Sequence, residues 1–383
     1  MSESQKTLTF PGFVDVHVHF RDPGMTEAET TASGLAAAAR GGFAAVVTMP
    51  NTTPACDSSA AIRRQIEQSN NQNNRTILLP SACITKGRLG REVADLEALA
   101  EAGAAFFTDD GSYVADDKVM EEAMNRCAAL NMVVCQHAMD PQEQRGGVIR
   151  DCALARKLNL PAISVETETK AIRRDLSLCR ETGCRLHIQH ISTAAGVALV
   201  RDAQREGLPV TAEATPHHLL LTCDDIPLED CSSASNSSFF KMAPPLGNRE
   251  DRAELRKAVK DGVLMFATDH APHPAAKKSL GFLKSANGII GLETAIPITY
   301  AVMVEEEGMS VEKWAEAWWK MPRWLLNANP ANSTNRAKVW PETKIEIGEE
   351  RVVDVESFAS LSRNCPYHGM KFKCWPTSLL KMV

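Results

Sequence analysis

The chain has 383 residues, 44% hydrophobic and 23% charged, enough for one large domain or two ordinary ones. Its net charge of −6 excludes the basic field that nucleic acid or an acidic membrane attracts, and the small basic spot Lys277-Lys278 reads as a solvated loop. No run reaches the roughly 20 apolar residues of a membrane span, the first ten residues lack the apolar core of a secretion signal, and eleven cysteines without CxxC pairs read as free thiols in a reducing compartment, so a soluble cytoplasmic enzyme is expected.

The first predicted strand ends in histidine. In PGFVDVHVHF (Pro11 to Phe20), Phe13, Val14 and Val16 make the apolar, β-branched run of a buried strand. His17 and His19 lie two apart at its end, so alternation sends both imidazoles to one face, and Arg21 adds a fixed cation. Two neutral imidazoles on one face can bind a divalent metal. A bare HxH is more often polar decoration on a strand, so the weight must come from elsewhere. A helix is predicted from Thr26, with Glu29 at capping-box spacing, to Gly41-Gly42. Further strands are predicted at 44–49, 76–82, 104–108, 132–137, 185–190, 209–214 and 264–269. Helices are expected between them at 58–69, 92–102, 117–130, 166–181, 194–206 and 249–261. Helices at 293–306 and 311–319 follow. Beyond Trp340, KIEIG and RVVDVES read as short β runs around a turn, and the tail from Cys365 as more strands.

Eight strands alternating with helices predict an α/β fold, a (β/α)8 TIM-type barrel over 12–336. The chain termini, 1–11 and 337–383, are expected to form a reduced small β-sheet region packed on it. Active sites of such barrels lie at the C-terminal ends of the strands. His17 and His19 end the first strand, Asp110 follows the fourth, His137 ends the fifth, His190 the sixth and Asp269 the eighth. Singly, each is more often a core histidine or a helix cap. Together, at corresponding strand ends, they converge and suffice for two zinc ions sharing one carboxylate. His187 is one residue out of phase with His190 and faces either the helices or the interior. His217 and His218 follow Pro216 in a loop, His270 turns away from Asp269, and His368 lies in the tail.

The stretches HVHFRDPG, MPNTTP, FTDDG, QHAMD, HIS, TPHHLLLT and ATDHAPH occur in this order. In combination they resemble the dihydroorotases of the amidohydrolase superfamily, in the branch near allantoinases and hydantoinases, from about Leu8 to the C-terminus. The resemblance implies that His17, His19, Asp110, His137, His190 and Asp269 are ligands of zinc, two ions per subunit. Asp269 is also the implied catalytic acid–base. Asp110 takes the place of the carboxylated lysine of many relatives, with Asp109 as a structural neighbour. His19, Arg21, Asn51 and His273, with backbone groups at Asn287-Gly288, are the implied substrate contacts. The implied activity is the reversible interconversion of N-carbamoyl-L-aspartate and L-dihydroorotate in pyrimidine biosynthesis. A homodimer and association with an aspartate transcarbamoylase are the implied partners. Two departures stand out. The family's NPPLR is APPLG here, with Ala243 and Gly247, and only sixteen residues precede the HxH. The alternatives are an allantoinase or hydantoinase acting on another cyclic amide, and a non-catalytic scaffold.

Overall fold

The computed structural model describes residues 6–72, 75–228, 236–326 and 340–379. The domain boundary expected near 336 lies outside these residues. The strands are β1 (Lys6–Phe10), β2 (Phe13–Val18), β3 (Phe43–Thr48), β4 (Ile77–Pro80), β5 (Val133–Gln136), β6 (Ile149–Arg150), β7 (Ala162–Ile163), β8 (Arg185–Ile188), β9 (Val210–Ala214), β10 (Met265–Phe266), β11 (Thr343–Val352) and β12 (Lys371–Leu379).

Two parallel sheets carry the fold, in the orders β2-β3-β4 and β10-β9-β8-β5. Their strands are buried on both faces, which is why they read as near-continuous apolar runs. Alternation sorts the side chains. Phe13, Val46, Leu78, Val134, Leu186 and Phe266 join the large apolar cluster shared with the helices. Val14, Val16, Val47, Leu79, Val133 and Met265 form a second cluster with Leu325 and Leu326.

The segment predicted as a fourth strand, 104–108, is not a ladder strand. Phe107 makes single parallel bridges to Ala82 and to Val134, and so stands between the two sheets. Ala105 N donates to Pro80 O at 2.8 Å, but Pro80 has no N–H to return, which removes a rung. At the opposite edges, Val18 bridges His270, and His19 N donates to His270 O at 2.8 Å.

The helix after Arg21 starts later than expected, at Thr31 rather than Thr26. Thr30 is extended and caps it by accepting from Ser33 N at 3.0 Å, while Ala28 N closes a turn onto Met25 O. Glu29 instead sits buried, accepting from the Ser360 hydroxyl of the C-terminal region. The termini form the expected small sheet, antiparallel in the order β1-β11-β12. KIEIG and RVV are one strand rather than two around a turn, because a register shift between Ile347 and Arg351 absorbs the extra residues. Thr343 ties this sheet to the rest: its hydroxyl accepts from Phe13 N at 2.8 Å and donates to Gly42 O at 2.6 Å. Ten described cysteines are buried and unbridged, and no described helix is long and apolar enough to cross a membrane.

Candidate metal centre

The six expected ligands converge. His19 Nε2 lies 3.0 Å from Asp269 Oδ1 and 3.3 Å from Asp110 Oδ2, and His17 Nε2 lies 3.5 Å from the same two oxygens. The other oxygen of Asp110, Oδ1, lies 3.8 Å from His190 Nε2. His137 stacks edge-on against His190, with ring centroids 4.7 Å apart. Asp110 therefore turns one oxygen to the β2 histidines and the other to His190. Two groups here have metal-ligating spacing: His17, His19 and Asp269, and His17, Asp110 and His190.

Backbone geometry aims these side chains. His190 and Asp269 adopt φ of +30° and +48°, a region that non-glycine residues avoid at a cost of about 1–3 kcal/mol each. In β2 a register shift falls between Asp15 and Val18. Asp15 holds that distortion from below, accepting from Thr268 N at 3.0 Å and from His17 N at 3.2 Å. Local breaks in pleat, rather than strict alternation, deliver His17 and His190 to the site.

The residues fit a cation. His17 Nε2 and both carboxylate oxygens of Asp110 are buried with no partner in hydrogen-bonding geometry among the described residues, an arrangement costly without an ion. Burial alone would lower the His17 pKa, yet Glu213, Asp110 and Asp269 outweigh it and hold it well above the ordinary range. Burial opposes ionisation of Asp110 and Asp269, but the surrounding histidines keep both below the usual carboxylate range. A cluster that demands positive charge at its centre is what a divalent ion satisfies.

Both histidines of the HxH pair are held from behind. His17 Nδ1 meets Glu213 Oε1 at 2.5 Å, and His19 Nδ1 meets Asn51 Oδ1 at 3.0 Å. An oxygen acceptor at Nδ1 fixes the proton there and leaves the Nε2 lone pair facing the cluster. Glu213 also accepts from His190 N at 3.1 Å, and its Oε2 lies 2.9 Å from His187 Nε2. Sequence reasoning missed Glu213. It sits inside the apolar run of β9, 196 residues from His17. Glu213→Gln keeps the shape but weakens the acceptor, so metal affinity measured against a competing chelator is expected to fall about 10–100-fold. Affinity equal to wild type would reduce Glu213 to a packing residue.

The expected substrate contacts line one cavity of about 270 Å³ beside the cluster: His19, Arg21, Asn51, His273, Asn287 and Gly288, with Asp110, His137, His190 and Asp269 in its wall. His17 lies behind that wall, fully buried. Arg21 anchors its Nε on Pro272 O at 3.1 Å; burial lowers its pKa to about 10, which leaves it charged at neutral pH. His273 Nε2 donates to Asn287 O at 2.6 Å, and burial with the nearby Arg21 lowers it to about 3, so its imidazole is neutral. Gly288 has φ +140°, and a Cβ there would meet Ala271 Cβ at 2.7 Å. Ala243, Met139 and Gln144 also face the cavity, whereas Gly247 packs against Asp251 and is not among its lining residues.

The remaining candidates fall outside it. Asp109 accepts from Ile84 N at 2.9 Å and Thr85 N at 3.1 Å, as a structural acid does. His187 faces inward, onto Glu213 and Thr211. His217 and His218 lie in a short helix (Pro216–Leu220) rather than a loop, because Pro216 occupies its first turn and Thr215 caps it. His270 turns away as expected, its Nδ1 accepting from Gly291 N at 3.1 Å. His368 is exposed, its Nδ1 accepting from Val355 N at 3.3 Å. Lys278 is no solvated loop residue: it is 2% exposed, folded under Asn287-Gly288 with its ammonium on backbone carbonyls.

A cation-ready cluster of histidines and aspartates at the ends of parallel strands, beside a small polar cavity, defines an amidohydrolase-type centre. The profile of a family described as dihydro-orotase-like matches residues 6–195. Relatives named dihydroorotase from Geobacillus thermodenitrificans and Bacillus subtilis are 41% and 37% identical, over 96% and 99% of this chain and 84% and 86% of their own length. The solved L-hydantoinase (dihydropyrimidinase) from Arthrobacter aurescens superposes with a TM-score of 0.82 at 25% identity, covering 97% of this chain and 83% of that one. The chain belongs to the dihydroorotase family.

Proposed function

We propose that this chain is a zinc-dependent dihydroorotase, opening L-dihydroorotate to N-carbamoyl-L-aspartate and closing it again. The observation that carries this reading is the charged Arg21 in the same cavity as the metal-ready cluster, next to Asn51. A cation and an amide there suit a small anionic ring. We read the scaffold as a (β/α)8 barrel over 12–336 with the terminal sheet packed on it; the bridges at Phe107 and between Val18 and His270, which join the edges of the two parallel sheets, support closure. Homodimerisation, association with an aspartate transcarbamoylase and a cytoplasmic setting rest on the family resemblance alone.

His17, His19, Asp110, His137, His190 and Asp269 are the proposed ligands of two zinc ions, with Asp110 shared because its oxygens face different histidines. Bound there, zinc supplies Lewis acidity toward the ring carbonyl and acidifies the attacking water. Asp269, held as a carboxylate by the surrounding histidines, takes the water's proton and delivers it to the departing ring nitrogen. Arg21 holds the substrate carboxylate with the guanidinium nitrogens that its Nε anchor leaves available. Neutral His273 and the Gly288 backbone border the ring.

Arg21→Lys tests the substrate. It keeps the charge and loses the planar fork. A charged hydrogen bond is worth about 1.5–3 kcal/mol, so kcat/KM for dihydroorotate is expected to fall at least about tenfold. Residual turnover of hydantoin, which has no carboxylate, should barely change. Equal losses on both rings would make Arg21 structural and favour an allantoinase or hydantoinase.

A further inference from the structure

Two lysines lie buried beneath the wall of the cavity that carries Asn287 and Gly288. Lys278, at the end of the short helix Ala275–Lys278, directs its Nζ to three carbonyls: Ala286 O at 2.8 Å, Gly288 O at 3.1 Å and Lys241 O at 3.3 Å. Lys241 directs its own Nζ to Leu283 O and Ser285 O, both at 2.8 Å. Gly288 N donates back to Lys241 O at 2.9 Å, which closes the arrangement. Four carbonyls of this segment, those of Leu283, Ser285, Ala286 and Gly288, thus converge on the two lysine Nζ atoms.

Buried cations normally pair with carboxylates. Here burial lowers Lys241 to about 8, and burial with the neighbouring Lys241 lowers Lys278 to about 7; no carboxylate is among the causes for either. The carbonyl cage is their compensation. Three acceptors around one nitrogen match the three donors of an ammonium and exceed the two of a neutral amine. The loop is consequently held from below by hydrogen bonds from two buried lysines, with Asn364 Nδ2 also donating to Gly288 O at 3.0 Å. It cannot settle closer by itself, because Gly288 already lies against Ala271 with no room for a Cβ.

We propose that Lys278, with Lys241 beside it, is a positioning residue for substrate, setting the height at which Asn287 and Gly288 stand in the cavity wall against the ring. It touches neither the metal cluster nor the reacting atoms. The proposal rests on the dihydroorotase reading for the identity of the ring, but not for the clasp itself.

The test compares Lys278→Met, Lys278→Gln and Lys241→Met with the metal-loaded wild-type chain. Three quantities are read: metal content, steady-state kinetics with dihydroorotate, and amide hydrogen exchange over 281–289. For Lys278→Met the expected result is unchanged metal content, a rise in KM of at least about tenfold, a much smaller change in kcat, and faster exchange at the Gly288 amide. Lys278→Gln, which keeps donors and polarity, should fall between Met and wild type. If Lys278→Met does not fold, Lys278→Gln and Lys241→Met carry the same comparison. Wild-type KM together with wild-type exchange in the folded variants overturns the proposal, and so does a loss confined to kcat or accompanied by metal loss. Absence of wild-type turnover would sink the dihydroorotase reading instead, and the Gly288 exchange would still decide the clasp.

Discussion

Asp110→Ala is expected to release metal and lower dihydroorotate turnover at least about a thousandfold, because the acidification of the attacking water would go with the metal. The two oxygens of Asp110 face different sides of the cluster, Oδ2 toward His17 and His19 and Oδ1 toward His190. Removing it detaches both halves at once. The neighbouring acid makes the control. Asp109 spends its carboxylate on the backbone N–H groups of Ile84 and Thr85 and on the Thr85 hydroxyl. Asp109→Ala leaves buried donors unpaired, at about 1–3 kcal/mol for each. It should therefore lower the denaturation midpoint while the folded fraction keeps metal and most of its activity. Metal analysis and a denaturation curve on both variants separate the two outcomes. A metal-free, inactive Asp109→Ala beside an active Asp110→Ala would show the roles reversed.

What the sequence made legible follows from how far each signal reaches along the chain. A run such as Phe13–Val18 or Phe43–Thr48 is apolar because both faces are buried, and burial is written into consecutive residues. Polar residues closing such runs mark strand ends, and one end of a parallel sheet gathers them, so the sequence alone points to the six residues that converge. Strict alternation does not by itself pair His17 with His19. Alternation carries Val14 and Val16 into the inner cluster and Val18 into the outer one, and the break that permits this is the register shift around His17. His187 seemed out of phase with His190 for a similar reason: His187 follows the pleat to Glu213, and a positive φ swings His190 into the site.

Groups whose meaning depends on a distant partner were not legible. A glutamate in the middle of PVTAEA has no local rationale until His17 and His187 close on it. Lys277-Lys278 looks like solvated charge, since nothing nearby in sequence announces that the carbonyls of Lys241, Ala286 and Gly288 surround Lys278. The composition of 104–108 reads as a strand, and the missing N–H of Pro80 on the neighbouring strand β4 interrupts its ladder.

Asp269→Asn is expected to lower kcat by about 10²–10⁴-fold, the usual range for a positioned acid–base group. The substitution preserves shape and one oxygen that can face the β2 histidines, so metal content at saturating zinc should stay close to wild type. What it removes is the negative charge that accepts a proton. In the folded chain that charge is secured against burial by His17, His19 and His190, and the +48° φ turns the carboxylate into the cavity wall beside Arg21 and His273. If Asp269 carries the proton, it moves it from water to the ring nitrogen during ring opening and from the nitrogen back to the departing water during ring closure. The overall equilibrium belongs to the two substrates and cannot be moved by the protein. Asp269→Asn should therefore lower kcat/KM by the same factor for dihydroorotate and for N-carbamoyl-L-aspartate, measured in opposite directions under one set of conditions. Asp269→Ala should lose metal as well, because it lacks the remaining oxygen. If Asp269→Asn with full metal content keeps more than about a tenth of wild-type kcat, the proton is handled elsewhere and Asp269 is a ligand only.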